Sequence, residues 1–300
     1  MSTKPTFTDA DFPLDGEGRT YHIGIKRGEV ANRVLTCGDV QRVRVLEKFL
    51  DKKLCEVCSE RGFLTVTGLI DGVPVTLLAS LMGYPNMDFA VRETLAMVDG
   101  TMVCVRFGTC GTPSTECNIG DLALATECRG IYRNPDAFRK RPEGAPEPTT
   151  EERYHITLPV PADPALFNHM KEVLLKQFPD HLKVGCNFSG CTFYASQGRP
   201  GVHFEDHNED LLDRIAAMPS ATAIEMETFH LFDLADLSKG RLKAAGSALI
   251  IAKRATKDFV TPEKKAKLVD EYGKAILHAL ATFPIPEDQL MKDPACVWLK

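Results

Sequence analysis

The sequence predicts an α/β fold, and three observations carry that prediction. β-rich runs and helical apolar patterns take turns along the chain, glycine-containing turns separate them, and the same alternation resumes after a polar, proline-rich interruption. RVLTC, at Arg33–Cys37, reads as a buried strand that stops at Gly38-Asp39, and the following VQRVRVLEKFLDK has helical spacing. Residues 62–68 and 73–80 are β-rich and are joined by Asp71-Gly72, a hairpin signature because both residues tolerate the positive φ of a tight turn. A helix follows over 87–98. Residues 101–107 form another apolar strand, ending at Gly108, and 121–126 form the next, introduced by Asn118 and Gly120. Between 130 and 152 the composition turns to Pro, Arg and Glu, which suits a flexible excursion rather than core. Beyond it come a helix at 165–178, a strand at 182–188, a helix at 209–217, and a strand at 221–224 that runs into a helix after Glu225. A strand at 245–252 and a long amphipathic helix at 264–282 complete the pattern. Because both sides of the excursion carry the same kinds of element, a single domain over 1–300 is expected.

Composition excludes several function classes. With 36 Lys and Arg against 41 Asp and Glu, the net charge of −5 argues against a general nucleic-acid binder. The opening MSTKPTFTDADFPLD has no apolar leader core, and nowhere do about 18 uncharged apolar residues run together, so a cytoplasmic protein without a membrane span is expected. Ten irregularly spaced cysteines in a chain of 300 residues read as reduced thiols.

Four segments carry chemistry. The Gly38-Asp39 turn lets backbone approach an anion, the next helix offers unpaired N–H groups, and Arg42 adds a forked cation. Arg106 lies inside an apolar strand, where an arginine must be paired or point into a polar site, and Gly108 and Gly111 thin the backbone around Thr109. Ligands of open α/β sheets bind at the carboxyl ends of strands, where Gly38 and Thr109 are both predicted. Two arginines and a hydroxyl suit the several oxygens of phosphate better than a carboxylate. Glu225 and Glu227 flank Met226 at a strand-to-helix junction, where a carboxylate either accepts sugar hydroxyls or complements the helix dipole. Phe193 and Tyr194 precede Gln197 and Arg199, a set able to stack a base and bond its edge. His203 and His207 stand four apart but have no third ligand marked, and Cys55 and Cys58 lack a second pair, so no metal is assigned.

In these motifs and their order, over residues 21–278, the chain resembles the nucleoside phosphorylase-I family, and in particular its uridine-cleaving members. The resemblance implies a three-layer α/β/α sandwich with a mixed, barrel-like central sheet. It implies a phosphate site of Gly38, Arg42, Arg61, Arg106 and Thr109, with Arg61 supplied by the partner subunit. It gives ribose contacts to Glu225, Met226 and Glu227, and places His22, of the Tyr21-His22 pair, near the 5′-hydroxyl of the neighbouring nucleoside. Phe193, Gln197 and Arg199 would hold uracil, with Ile251 and Arg254 beside the base.

The chain departs from that family in three places. SLMGYPN stands where the family has a glycine-rich stretch, Gly62 stands where an acidic residue often supports an interfacial cation, and the excursion is longer than in compact relatives. An interfacial cation is therefore left unassigned, with Glu60 or Asp88 as possible support, and a homodimer with shared sites is expected rather than a hexamer. The expected reaction is reversible phosphorolysis of uridine to uracil and ribose 1-phosphate, with inorganic phosphate as co-substrate and no required cofactor. Arg106, Gln197, Arg199 and Glu227 would carry the chemistry, in pyrimidine salvage. The competing readings are a non-catalytic nucleoside-binding protein and a purine-directed or hydrolytic relative on the same fold.

Overall fold

RVLTC is buried at every residue and becomes strand β3 (Arg33–Cys37), with the buried Arg33 guanidinium donating to the Phe283 carbonyl. The computed structural model describes residues 6–201 and 203–300, so the first five residues of the segment read as lacking a leader lie outside it. Before β3, β1 (Phe7–Thr8) and β2 (Leu14–Asp15) form a small antiparallel pair. After it come α1 (Val40–Leu46), β4 (Lys52–Cys58), β5 (Leu64–Ile70), β6 (Val73–Ala79), α2 (Tyr84–Ala96), β7 (Met102–Thr112) and β8 (Leu122–Arg133). The middle of the chain adds α3 (Thr150–Arg153), β9 (Tyr154–Ile156), β10 (Val160–Pro161), α4 (Pro164–Gln177) and β11 (Leu182–Gly190). The last third supplies α5 (Leu211–Ala216), β12 (Ala221–Glu225), α6 (Thr228–Leu237), β13 (Leu242–Lys253), β14 (Asp258–Phe259) and α7 (Pro262–Thr282).

Apart from β1 and β2, these strands build one mixed sheet in the order β14-β13-β8-β11-β12-β7-β3-β6-β5-β4, with β9 and β10 paired to β8. β13 also pairs in parallel with β7, so β13, β8, β11, β12 and β7 close into a ring, and the sheet is barrel-like at its centre. Helices cover it on two sides. Val103, Val105 and Phe107 of β7 pack into a core with α1, α4 and α7, while Met102 and Cys104 pack into a second core with α2 and α6. Strand side chains alternate between faces, so Arg106 falls on the α2/α6 side. That placement sets the site.

Three elements differ from the sequence reading. The helix after Asp39 ends at Leu46, passes through one 3₁₀ turn at Glu47–Phe49, and gives way to β4. Leu46, Leu50, Leu54 and Val57 repeat at helical spacing, yet pairing with β5 decides the outcome. β7 does not stop at Gly108 but continues to Thr112 beside β13, so Thr109 lies within a strand and not at its end. β8 likewise runs past Gly130 to Arg133, because β11 and β9 pair with its last residues. The stretch after it packs back on the body, with Arg214 paired to Glu151 and Thr150 bonded to Asp210. Among the described residues, no helix is long and apolar enough to cross a membrane, and all ten cysteines are free thiols.

Candidate active site

The Gly38-Asp39 turn is built by capping. One Asp39 oxygen accepts the Arg42 backbone N–H at 2.7 Å, satisfying an orphan donor of α1, and the other pairs with the Arg42 guanidinium at 2.9 Å. Arg42 is only 6 % exposed, and its other terminal nitrogen donates to the Phe107 carbonyl at 3.0 Å. The cap thus ties the start of α1 to β7, one residue from Arg106.

Arg106 is buried with two carboxylates. Its Nε donates to Glu225 at 3.0 Å, one terminal nitrogen bonds Glu227, and the other terminal nitrogen is buried without a protein partner. Gly108 makes this fold-back possible: a Cβ there would sit 3.0 Å from the guanidinium. The two carboxylates are held differently. Glu225 accepts from Asn187 at 2.8 Å, from the Ser189 hydroxyl, and from the N–H groups of Glu227 and Thr228. Glu227 accepts the Gly83 N–H at 2.6 Å, at the amino end of α2.

Their protonation diverges accordingly. Burial works to raise Glu225, but Arg106, Ser189 and Asn187 outweigh it and hold that carboxyl below its ordinary range. Glu227 is raised to about 7, because burial and the Glu225 charge together outweigh Arg106. One guanidinium facing two buried carboxylates leaves a negative excess, and Glu227 takes the proton.

The base-edge candidates form a third locality. Ala195–Gln197 is a 3₁₀ turn closed by Gly198 at φ 59°. Gln197 is buried; its amide donates to the Glu225 carbonyl at 3.4 Å and accepts from Arg199 at 3.4 Å. Arg199 also lies 4.0 Å over the Phe193 ring, which is itself open to solvent. Arg254 donates to the carbonyls of Gln197 and Gly198 at 2.8 and 3.0 Å, its stem passing over Gly111. Burial and Arg199 lower its pKa to about 10.

Comparison with known proteins gives this arrangement a family. Residues 32–282 match the phosphorylase superfamily. The chain belongs to that family. It is 30% identical over 274 residues to the uridine phosphorylase of Thermococcus kodakarensis, covering 90% of this chain and 91% of that protein. It is 30% identical over 226 residues to a DeoD-type purine nucleoside phosphorylase of Oceanobacillus iheyensis, covering 72% and 80%. Among solved structures, one from work on two uridine phosphorylases of the oomycete Phytophthora capsici has a TM-score of 0.86 at 34% identity, covering 93% of this chain and 100% of that one.

Within this superfamily fold, a path of contacts joins Arg106, Glu225, Glu227, Gln197, Arg199 and Arg254, and Arg42 meets it at the carbonyl of Phe107, next to Arg106 in β7. Thr109 is half-buried on β7 beyond Gly108, Gly38 follows β3, and Met226 is half-buried between the two glutamates. Ile251 packs against the core beneath α7. His22 and Arg61 are gathered elsewhere: His22 bonds Glu93 of α2 at 2.5 Å and stacks on Phe89, and Arg61 lies exposed over the Tyr21 ring. Tyr21 and Arg61 line an open cavity of about 790 Å³.

Sequence reasoning missed the supports. Asn187 and Ser189 on β11 fix Glu225, Tyr84 donates to the Ser189 carbonyl, and Gly83 binds Glu227. The sign of these residues in the sequence is faint: two polar residues, Asn187 and Ser189, at alternate positions of the buried half of a strand.

Proposed function

We propose that this chain is a uridine phosphorylase that converts uridine and inorganic phosphate reversibly into uracil and ribose 1-phosphate. The observation that carries the reading is the contiguity of an amide-guanidinium pair, Gln197 and Arg199, with a carboxylate pair and two buried arginines through Glu225. A base edge, a sugar and an anion would lie along that line in the order in which a nucleoside and its attacking phosphate require them. The uridine phosphorylases of Thermococcus kodakarensis and Phytophthora capsici, each similar over at least nine-tenths of this chain, support the same substrate.

Arg42 and Arg106, with the free nitrogen of Arg106 foremost, hold phosphate, aided by Thr109, the backbone at Gly38 and Arg61 of the partner subunit. The bond from C1′ to N1 breaks, its electron pair leaves with uracil, and a phosphate oxygen forms the new bond to C1′ from the opposite face, through an oxocarbenium-like sugar. Gln197 and Arg199 stabilise the negative charge growing on the departing base, which speeds the reaction because that charge is absent in the ground state. Glu227 binds the sugar hydroxyls beside Met226, and His22 of the partner subunit binds the 5′-hydroxyl. The reaction needs neither redox cofactor nor metal, and the protein works in the cytoplasm as a homodimer in pyrimidine salvage.

The test is free-base release from uridine, inosine and thymidine, each with and without phosphate. Uracil release that depends on phosphate is expected. Release without phosphate, release from inosine in preference to uridine, or no release at all would each sink the reading.

A further inference from the structure

The five-residue turn that carries Gln197 and Arg199 is held from outside by two side chains. Arg254, at the end of β13, donates to the carbonyls of Gln197 and Gly198. Asn208, which is buried, donates through its amide to the carbonyls of Ala195 at 2.8 Å and Arg199 at 3.1 Å. Four carbonyls of the turn therefore accept from two residues in separate parts of the chain, neither of which the turn's own sequence specifies, and that of Ala195 accepts the Gly198 N–H as well. A third observation singles out Asn208. Its neighbour His207 adopts φ 46°, a left-handed conformation unusual for a residue other than glycine, which persists only where surrounding contacts enforce it. Asp206 supplies such a contact, since its carbonyl accepts the hydroxyl of the buried Tyr154.

We infer that Asn208 and Arg254 are positioning residues for base recognition: they brace the 195–199 turn so that Gln197 and Arg199 meet the leaving uracil without first having to be ordered. This rests on the proposed reaction. It also changes what Arg254 does, from touching the base to shaping the loop that touches it. A preformed hydrogen-bonding edge is worth most where charge develops, so loosening the brace acts on base departure more than on phosphate capture.

The experiment compares Asn208→Ala, Asn208→Ser and Arg254→Met with the wild-type enzyme on uridine and 5-fluorouridine. Fluorine makes uracil a better leaving group, so its departure depends less on Gln197 and Arg199. For each variant kcat/KM on uridine is expected to fall about tenfold or more, while the fall on 5-fluorouridine stays within about threefold and KM for phosphate is unchanged. The serine variant keeps one donor and should lie between wild type and alanine, so it reports even if the alanine variant folds poorly. Equal losses on both substrates, or a parallel rise in the phosphate KM, would mean a merely structural role and overturn the inference. Failure of the wild-type enzyme to release uracil with phosphate would instead overturn the proposed reaction.

Discussion

Glu227 is the carboxylate of the site whose titration burial moves toward neutral pH. Folding raises its carboxyl from an ordinary 4.5 to about 7, so between those values the folded protein keeps a proton that the unfolded chain has lost. Its contribution therefore favours the folded state below that window and is lost as pH rises through 7. If Arg106 holds the anion as proposed, the same titration acts on its binding, because an ionised Glu227 adds a negative charge beside the guanidinium. Phosphate itself titrates near 7, so sulfate, whose charge is constant there, is the cleaner probe. Direct binding of sulfate should weaken by about tenfold between about pH 6 and 8, and Glu227→Gln should remove the slope. A pH-independent sulfate affinity in the wild-type protein would refute this account. Much at this scale was legible: an arginine in an apolar strand and a Glu-Met-Glu junction announced themselves. What the sequence did not reveal was the division of labour between the two glutamates, since Asn187 and Ser189, which saturate Glu225, arrive from a strand distant in sequence.

Elements show where local pattern suffices and where pairing overrides it. β3 matches the segment RVLTC residue for residue, and the Asp71-Gly72 turn places β5 and β6 to within two residues. β4 was invisible because its apolar spacing suits a helix equally well, and only β5 alongside it tips the balance. Local pattern makes β7 too short because glycines end strands in isolation, whereas here Gly108 makes room for the head of Arg106 and Gly111 for the stem of Arg254. The Asp39 cap joins an element to its site in one residue. Asp39→Ala should destabilise the protein by about 1–2 kcal/mol, the usual loss for an N-cap, as read from denaturant unfolding. It should also raise KM for phosphate more than KM for uridine, because Arg42 loses its carboxylate partner while the base turn is untouched. A change in uridine KM alone would contradict that link.

At the scale of the whole molecule, the fold class followed from alternation, but closure of the sheet did not, because the β13–β7 pairing joins strands more than a hundred residues apart in sequence. The same limit applies to the site. Arg42, Arg106 and Glu227 are assembled within one chain, whereas Arg61 sits exposed on the turn between β4 and β5, stacked on Tyr21 beside an open cavity. If a second copy docks there, Arg61 and His22 of each subunit complete the other's site, as an isologous interface requires. Co-expression of Arg61→Ala and Glu227→Ala chains carrying different tags tests this. Each homodimer should be nearly inactive. The heterodimer purified through both tags combines, at one of its two sites, Glu227 from the first chain with Arg61 from the second, and at the other site carries both defects. It should therefore show about half the wild-type activity per dimer. Were each site contained in a single chain, every site of the heterodimer would keep one defect, and its activity would stay at the level of the two homodimers.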